Sequence, residues 1–195
     1  MNPILLDFPH EFETERLLIR CPLPGDGAMV NEAIRESHDE FKKWDAYFVN
    51  LPPVEESEER ARRAHAKFLL REDLRLYMFQ KSSGRFVGST GLHRINWDVG
   101  RFEINYWIRT SESGQGLVTE AVHGIVRWAS DHLNARRIEI RCDARNLRSR
   151  KVAERAGFHL EAVLRQDEPD VDGQPSDSPI YVKLRLPNGE WGYPS

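Results

Sequence analysis

One stretch of the sequence, a glycine-rich turn between a strand and a helix, constrains the fold most. Residues 111–121 read Ser-Glu-Ser-Gly-Gln-Gly-Leu-Val-Thr-Glu-Ala, after the apolar run 102–108 and at the start of an amphipathic segment. Two glycines one residue apart let the backbone approach a ligand with no Cβ in the way. The first N–H groups of a helix lack intrahelical acceptors, and the helix dipole adds positive potential there. The turn therefore predicts an anion site, most naturally for the phosphates of a nucleotide-bearing cofactor.

The charge distribution favours a local anionic ligand over a nucleic acid. The net charge of −3 over 195 residues argues against a dedicated nucleic-acid binder. Within residues 134–155, however, eight Arg or Lys stand against three Asp or Glu, so the rest of the chain carries the negative excess. This split indicates a basic surface for an anion, with a solvated helix face as the alternative.

Composition narrows the class further. The chain is 30% charged and 39% hydrophobic, which is ordinary for one globular domain, so we expect a single domain over residues 1–195. Cys21 and Cys142 are too far apart for a metal or redox motif, and no His-Glu-x-x-His spacing occurs, so we predict no metal. The N-terminus lacks the pattern of a signal peptide and no apolar run could span a membrane, so we expect a cytoplasmic protein with no membrane partner.

Hydrophobic periodicity and turn residues predict the order β, two helices, three strands, then αβαββ. The short links around residues 82–84 and 96–100 require antiparallel pairing of the three central strands. Strands are predicted over 16–21, 74–80, 85–95, 100–109, 136–142, 158–165 and 180–186; helices over 26–38, 55–71, 116–133 and 146–156. Residues 40–53 are expected to be irregular, and a polar loop is expected before residue 180.

Other classes of nucleotide-binding protein that use a glycine-rich turn fit this sequence less well. A dinucleotide-binding unit would need a third small residue where Thr119 stands, although Glu139 imitates its distal acid. Its turn would also follow a strand of a parallel sheet, whereas this one follows an antiparallel meander. No Gly-Lys-Ser/Thr follows Gly116, which excludes a P-loop. A glycine-rich corner without a ligand remains the plain alternative.

A second constellation starts directly after a predicted strand. Residues 146–158 read Asn-Leu-Arg-Ser-Arg-Lys-Val-Ala-Glu-Arg-Ala-Gly-Phe. Asn146 suits a helix N-cap, Ser149 lies about one turn into the helix, and Gly157 suits its C-terminal end.

With both constellations in place, the chain resembles the GNAT N-acetyltransferases, and among them the branch that acetylates the N-termini of ribosomal proteins. The resemblance covers nearly the whole chain and rests on Thr14-Glu-Arg-Leu-Leu-Ile-Arg20, Val87-Gly-Ser-Thr-Gly91, Glu103-Ile-Asn-Tyr-Trp-Ile108, Gly114-Gln-Gly-Leu-Val-Thr-Glu-Ala121 and residues 146–158. It implies an α+β fold, the GNAT fold, with a mostly antiparallel sheet of about seven strands and about four helices. The sheet would splay between its fourth and fifth strands and hold acetyl-CoA in that cleft.

The resemblance also assigns donor-binding residues. The family turn begins with Gln or Arg, where this chain has Ser111, so one side-chain contact is expected to be lost. The backbone of the turn would bind the pyrophosphate, the preceding strand would pair with the pantetheine arm, and basic residues of 145–151 would reach the 3′-phosphate. The cofactor-binding residues implied are Trp107, Ile108, Arg109, Gly114, Gln115, Gly116, Leu117, Asn146 and Arg150.

The implied chemistry is direct acetyl transfer to a primary amine, a protein N-terminus or a small molecule, in a ternary complex. Many GNAT enzymes use a tyrosine on the last helix as general acid, and none occurs between Trp107 and Tyr181. The ribosomal-protein branch has a serine there, which matches Ser149, and a glutamate base, which matches Glu168. Glu103 is a second candidate base, because other GNAT enzymes use a carboxylate on that strand.

The acceptor is less constrained. Trp44 and Tyr47 are predicted to bind it, together with the acidic segment 167–177, although aromatic side chains in this region could equally fill core. Monomer and homodimer stay open. The leading hypothesis is an acetyl-CoA-dependent N-acetyltransferase; the alternatives are a non-catalytic acyl-CoA-binding or regulatory domain and a dinucleotide-dependent enzyme.

Overall fold

The structure is a computed structural model that describes residues 2–194. Its strands join into one nine-stranded sheet. The strands are β1 (Glu11–Glu13), β2 (Leu17–Arg20), β3 (Leu74–Gln80), β4 (Phe86–Asn96), β5 (Arg101–Ile108), β6 (Arg137–Arg141), β7 (His159–Pro169), β8 (Pro175–Arg185) and β9 (Trp191–Gly192). The helices are α1 (Gly27–Phe41), α2 (Val54–Leu69), α3 (Leu117–His132) and α4 (Leu147–Arg155). Short 3₁₀ turns occupy Pro3–Leu5, Ala46–Phe48 and Thr110–Glu112.

The sheet order is β1-β2-β3-β4-β5-β6-β8-β7, with β9 paired to β8. Every pair is antiparallel except β5 and β6. This confirms the predicted mixed, mostly antiparallel fold with four helices and the antiparallel meander β3-β4-β5. The expected count of about seven strands was low, because β1 and β9 have three and two residues and are too short for a readable period.

The C-terminal hairpin differs most from the sequence-based expectation. The polar segment expected as a loop is largely strand, since β7 runs to Pro169 and β8 begins at Pro175. The Asp170 carboxylate accepts from the N–H groups of Asp172 and Gln174, and Gly173 takes a φ of +78°, which closes a tight turn. Because β7 is exposed along most of its length, no apolar alternation marked its continuation beyond the predicted end at residue 165.

Helices cover both faces of the sheet. On one face α3 buries Val122, Ile125 and Ala129 in a cluster with Phe102 and Ile104 of β5. On the other face α1 and α2 share a second cluster that includes Tyr77 and Phe79 of β3 and Phe86 of β4. None of the helices within residues 2–194 combines the length and the apolar character that a membrane crossing requires.

The sheet opens between β5 and β6. Their parallel register joins Arg101–Ile104 to Arg137–Ile140 and ends there, although β5 continues to Ile108. Residues 105–108 stay paired with β4 on one side and face a V-shaped opening on the other. The predicted splay between the fourth and fifth predicted strands is therefore confirmed at β5 and β6.

Candidate active site

A cleft of about 700 Å³ fills the opening between β5 and β6. The free end of β5 and the glycine turn form one wall, and the end of β6 with the first turns of α4 forms the other. Of the predicted donor-binding residues, the cleft is lined by Trp107, Ile108, Gly114, Gly116, Leu117 and Asn146. The parts that the sequence marked separately therefore meet at one site.

The glycine turn has the backbone that an anion cradle needs. Gly114 and Gly116 have φ of +81° and +79°, in the left-handed region that glycine adopts without a Cβ penalty. A Cβ on Gly114 would meet nothing within 4 Å, so backbone conformation and not space explains this glycine. Gly116 is the N-cap of α3 and supplies no capping side chain, so the first-turn N–H groups at Leu117 and Val118 lie at the cleft wall.

The β1–β2 hairpin holds this turn from one side. Arg16 donates from Nη1 to the Gln115 carbonyl at 3.0 Å and from Nε to Glu120 Oε2 at 2.6 Å. Thr14 Oγ1 donates to Glu120 Oε1 at 2.6 Å. Although partial burial opposes it, the hydrogen bonds from Thr14 and Arg16 lower the pKa of Glu120 and keep it ionised. Residues 14–20, which the sequence marked as a family motif that overlaps a predicted strand, thus hold the turn in place.

Helix α1 holds the other side of the turn. The Arg109 guanidinium is buried and donates from Nη1 to Glu32 Oε1 and Glu36 Oε2, both at 2.8 Å. The Ser111 hydroxyl donates to Glu36 Oε1 at 2.6 Å. The Arg109 N–H donates to the Val87 carbonyl at 2.8 Å, so its amide is also occupied. This corrects the expectation for Arg109, which anchors the turn from behind instead of lining the cleft, and it gives Ser111 a partner in Glu36.

Two other predicted donor contacts lie outside the cleft lining. Gln115 turns its side chain toward Glu112, so only its backbone remains for the predicted contact. Arg150 donates from Nε to the Tyr181 hydroxyl at 3.1 Å and from Nη1 to the Ala144 carbonyl at 3.3 Å, which turns it away. The position of Arg150 around α4 explains why its side chain points away from the cleft. Other basic residues of the same helix do line the cleft, namely Arg148, Lys151 and Arg155.

Ser149 lies in the cleft and is fixed by contacts from two directions. Asn146 is the N-cap of α4, and its Oδ1 accepts from the Ser149 N–H at 3.1 Å, as the sequence predicted for a cap. From across the cleft, the Tyr106 hydroxyl lies 3.0 Å from the Ser149 carbonyl and 3.1 Å from Ser149 Oγ. Burial raises the pKa of Tyr106.

Tyr106 is the functional candidate that the sequence reading missed. The family pattern predicts a catalytic tyrosine on the last helix, whereas Tyr106 lies in β5. Tyr106 comes from β5, on the face that also presents Ile104 and Ile108. The alternation of apolar residues along β5 can be recognised in the sequence. The contact between the Tyr106 hydroxyl and α4 cannot.

The two candidate bases meet around a shared arginine, outside the cleft lining. Arg94 Nη2 lies 2.8 Å from Glu168 Oε1, and Arg94 Nη1 lies 3.8 Å from Glu103 Oε2. Burial raises the pKa of Glu103, with Arg94 and Arg141 opposing the shift. Glu168 is a strand residue of β7 and about half exposed, instead of the loop carboxylate expected.

The predicted acceptor side lies beyond Trp44. Trp44 lines both the main cleft and a second cavity of about 550 Å³. That cavity lies between Lys42, Lys43 and Val49 on one wall and Arg145, Asp170, Val171 and Asp172 on the other. Tyr47 is not part of either lining, because its ring packs on Phe48 and under the Arg60 guanidinium, 3.5 Å from the ring centre. Tyr47 therefore packs against the hydrophobic core, which is the alternative that the sequence left open for these aromatic side chains.

Metal ligands do not cluster within residues 2–194, where no group of three His, Cys, Asp or Glu side chains is arranged to hold an ion.

Comparisons with known proteins converge on one family. The sequence profile described as "Acetyltransferase (GNAT) domain" matches residues 16–159. YdaF of Bacillus subtilis (strain 168), provisionally named a ribosomal N-acetyltransferase, is 29% identical over 182 residues, which are 91% of this chain and 94% of YdaF. The ribosomal-protein-serine acetyltransferase of Escherichia coli (strain K12) is 30% identical over 130 residues, 65% of this chain and 72% of that protein.

Solved structures share the fold at lower identity. The microcin C7 self-immunity acetyltransferase MccE, in complex with acetyl-CoA and AMP, superposes with a TM-score of 0.82 at 23% identity, covering 87% of this chain and 93% of that one. The ribosomal α-N-protein acetyltransferase RimL, in complex with coenzyme A, superposes with a TM-score of 0.81 at 18% identity, covering 91% and 97%.

Proposed function

The chain belongs to the GNAT acetyltransferase family, and we propose that this acetyl-CoA-dependent N-acetyltransferase acts on the N-terminal amine of a polypeptide. One observation carries the proposal: a second cavity with charged walls adjoins the main cleft at Trp44, which lines both. A small amine would need only the cleft, whereas an extended chain has room to continue beyond it. The names of YdaF and of the E. coli relative, both connected with ribosomal proteins, support the same acceptor class.

The donor half of the cleft fits acetyl-CoA. The left-handed glycines at 114 and 116 and the uncapped start of α3 offer N–H groups to a pyrophosphate. The free edge of β5 over residues 105–108 offers backbone groups for pairing with the pantetheine arm in the manner of an added strand. Arg148, Lys151 and Arg155 supply positive charge at the opposite wall. When bound, acetyl-CoA supplies a thioester carbonyl that an amine can attack.

Acetyl transfer requires a neutral amine, so a base must accept its proton. Glu103 is suited because burial raises its pKa, which makes the carboxylate more basic than an exposed one. It lies two residues before Asn105 on the same face of β5, and Asn105 lines the cleft, so a water could connect the two. Glu168 also contacts Arg94, at 2.8 Å, so the second candidate carboxylate lies beside the first.

The remaining steps use the two walls of the cleft. Alignment of amine and thioester can supply roughly 7–11 kcal/mol of the barrier. A free backbone N–H of β5 can stabilise the oxyanion of the tetrahedral intermediate. Ser149 lies on the opposite wall, where its hydroxyl can protonate the departing thiolate.

The acceptor assignment is tested by thiol release in an acceptor panel. The panel contains peptides with free N-termini, the same peptides with N-formyl blocks, polyamines and aminoglycosides. We expect turnover with free peptides and none with blocked ones, with mass spectrometry locating the acetyl group on the α-amine. Turnover with polyamines or aminoglycosides alone would contradict the proposal and make the enzyme a small-molecule acetyltransferase.

A further inference from the structure

Tyr106 and Ser149 form a hydroxyl pair in the cleft, in which Ser149 faces the leaving thiolate and Tyr106 has no role assigned so far. Tyr106 projects from β5, and its hydroxyl reaches the first turn of α4 on the opposite wall. It lies 3.0 Å from the Ser149 carbonyl and 3.1 Å from Ser149 Oγ. Both contacts lie inside the same cleft, since Tyr106 and Ser149 both line it.

The arrangement limits where the two hydroxyl protons can point. Each hydroxyl carries one proton, and the carbonyl can only accept. If Tyr106 donates to the carbonyl, the Ser149 proton is free to point at Tyr106 and away from the cleft. If Tyr106 donates to Ser149 Oγ, the Ser149 proton is released toward the cleft. A negative charge on sulfur in the cleft favours the second state, because it attracts the Ser149 proton.

Tyr106 enters this pair as a hydrogen-bond donor. Burial raises its pKa and so favours the neutral phenol, the form that carries a proton to donate in a hydrogen bond. The Ser149 backbone is fixed independently, because Asn146 Oδ1 binds its N–H at 3.1 Å. What Tyr106 adds is a hydrogen-bond donor for Ser149 Oγ, in addition to the contact that the Ser149 hydroxyl makes with Cys142.

We propose that Tyr106 is a positioning residue that turns the Ser149 proton toward the leaving sulfur. The proposal rests on the assignment of Ser149 as the group that protonates the thiolate. As the carbon–sulfur bond breaks, sulfur takes the Ser149 proton, and Ser149 Oγ keeps the O–H electron pair. The hydrogen bond from Tyr106 stabilises that oxygen. Ser149 Oγ then takes the second proton of the attacking nitrogen, which the nitrogen loses as the amide forms. The first amine proton has gone to the base, so the protons balance and Tyr106 keeps its own.

The test is a double-mutant cycle with Tyr106→Phe and Ser149→Ala. Tyr106→Phe removes only the hydroxyl, so we expect kcat to fall about tenfold with the KM for acetyl-CoA within about twofold of wild type. In the Ser149→Ala background the same change should cost nothing further, because the group it positions is gone.

The matched control is Tyr181→Phe. The Tyr181 hydroxyl also contacts α4, through Arg150 and Glu154, but it lies outside the cleft lining. We expect its removal to leave kcat within about twofold of wild type. An equal loss in Tyr181→Phe would mean that anchoring of α4 explains the effect, and this would overturn the proposal.

The cycle separates two kinds of failure. If Ser149→Ala turns over like wild type, the role of Ser149 is wrong and the proposal falls with it. If Ser149→Ala is slow and the double variant is slower still, by the factor that Tyr106→Phe costs alone, the role of Ser149 stands. Tyr106 then does not act through Ser149, and the proposal is overturned.

Should Tyr106→Phe fail to fold, replacement of Tyr106 by 3-fluorotyrosine gives a second test. This side chain keeps the shape and the hydroxyl but has a more acidic phenol. A kcat close to wild type with an unchanged pH profile supports a donor. A basic limb that moves with the phenol acidity would make Tyr106 a general acid and overturn the positioning role.

Discussion

The donor side and the acceptor side of the cleft are built differently. The glycine turn is held from two sides by residues distant in sequence, with Arg16 and Glu120 on one side and Arg109 with Glu36 on the other. The proposed acceptor side contains turns that are closed by local contacts. There Asp45 caps the 3₁₀ turn through the Tyr47 N–H, and Asp170 closes the β7–β8 turn.

This difference follows from what each side must do. A turn that binds a diphosphate through N–H groups works only if its peptide planes are fixed, so it is braced by charge-assisted hydrogen bonds. A surface that selects an acceptor tolerates variation, and exposed turns on a rigid sheet allow it. We therefore expect mutations on the donor side to change acetyl-CoA kinetics and those on the acceptor side to change acceptor kinetics.

The largest expected effect comes from Gly116→Val, with Gly173→Val as its control. The two glycines have nearly the same φ, +79° and +78°, but Gly173 lies in the β7–β8 turn. A β-branched residue at such a φ costs about 1–3 kcal/mol, which the turn relieves by rearranging. We expect kcat/KM for acetyl-CoA to fall about 100-fold in Gly116→Val and to stay within about twofold in Gly173→Val. Equal losses in both would remove the distinction between the two sides.

The next effect tests the brace on the turn. Arg16→Met removes the donor to the Gln115 carbonyl and frees that peptide plane to rotate. We expect the KM for acetyl-CoA to rise about tenfold with kcat little changed. Lys81→Met is the control, because Lys81 contacts Glu13 and the Thr14 carbonyl on the same hairpin without reaching the turn. A similar KM change in Lys81→Met would show that general loosening of the hairpin is responsible.

On the acceptor side, Trp44→Ala should separate the two substrates. Trp44 is exposed by 41% and lines both cavities, so its loss removes apolar contact area for an acceptor. We expect the KM for a peptide acceptor to rise about fivefold while that for acetyl-CoA stays unchanged. Tyr47→Phe, which changes a ring outside both linings, should alter neither value. A Trp44→Ala variant with an altered acetyl-CoA KM alone would assign Trp44 to the donor side.

The smallest effect concerns Asp143, which ties the end of β6 to the acceptor side. Hydrogen bonds from Arg145 and Ser176 lower its pKa from 3.8 to about 2. Because the folded-state pKa lies below the unfolded one, this pairing stabilises the fold above pH 3.8 and is lost as the pH falls toward 2. Asp143→Asn should therefore lower the free energy of unfolding at pH 5 by at most about 1 kcal/mol. Urea unfolding from pH 5 to 2 should show this difference shrinking; a constant difference would mean that titration of Asp143 is not its cause.

Features that depend on a few consecutive residues were readable in the sequence. The left-handed glycines at 114, 116 and 157 and the Asn146 cap are examples, because backbone angles and caps are decided within one turn of chain. The strands of the hairpin β7–β8 were predicted over 158–165 and 180–186, but their extension to Pro169 and Pro175 was not. Exposed residues lack an apolar alternation, and the closure depends on the Asp170 carboxylate.

Side-chain encounters across elements could not be read in the same way. Arg109 and Arg150 stood in the right motifs, yet packing turned one under α1 and the other toward Tyr181. Glu103 and Glu168 were chosen as rival bases, whereas the fold brings both to Arg94.

The sequence by itself determined the succession of strand, glycine turn and helix start that predicts a phosphate site, and the capped helix with Ser149 that follows the next strand. Only the tertiary structure decided which side chains meet across the opening, above all Tyr106 with Ser149. The physical reason is that local dihedral preferences are encoded within a few residues. The register of β5 against β6 and the rotation of α4 are fixed only when the whole sheet and both helical layers pack together.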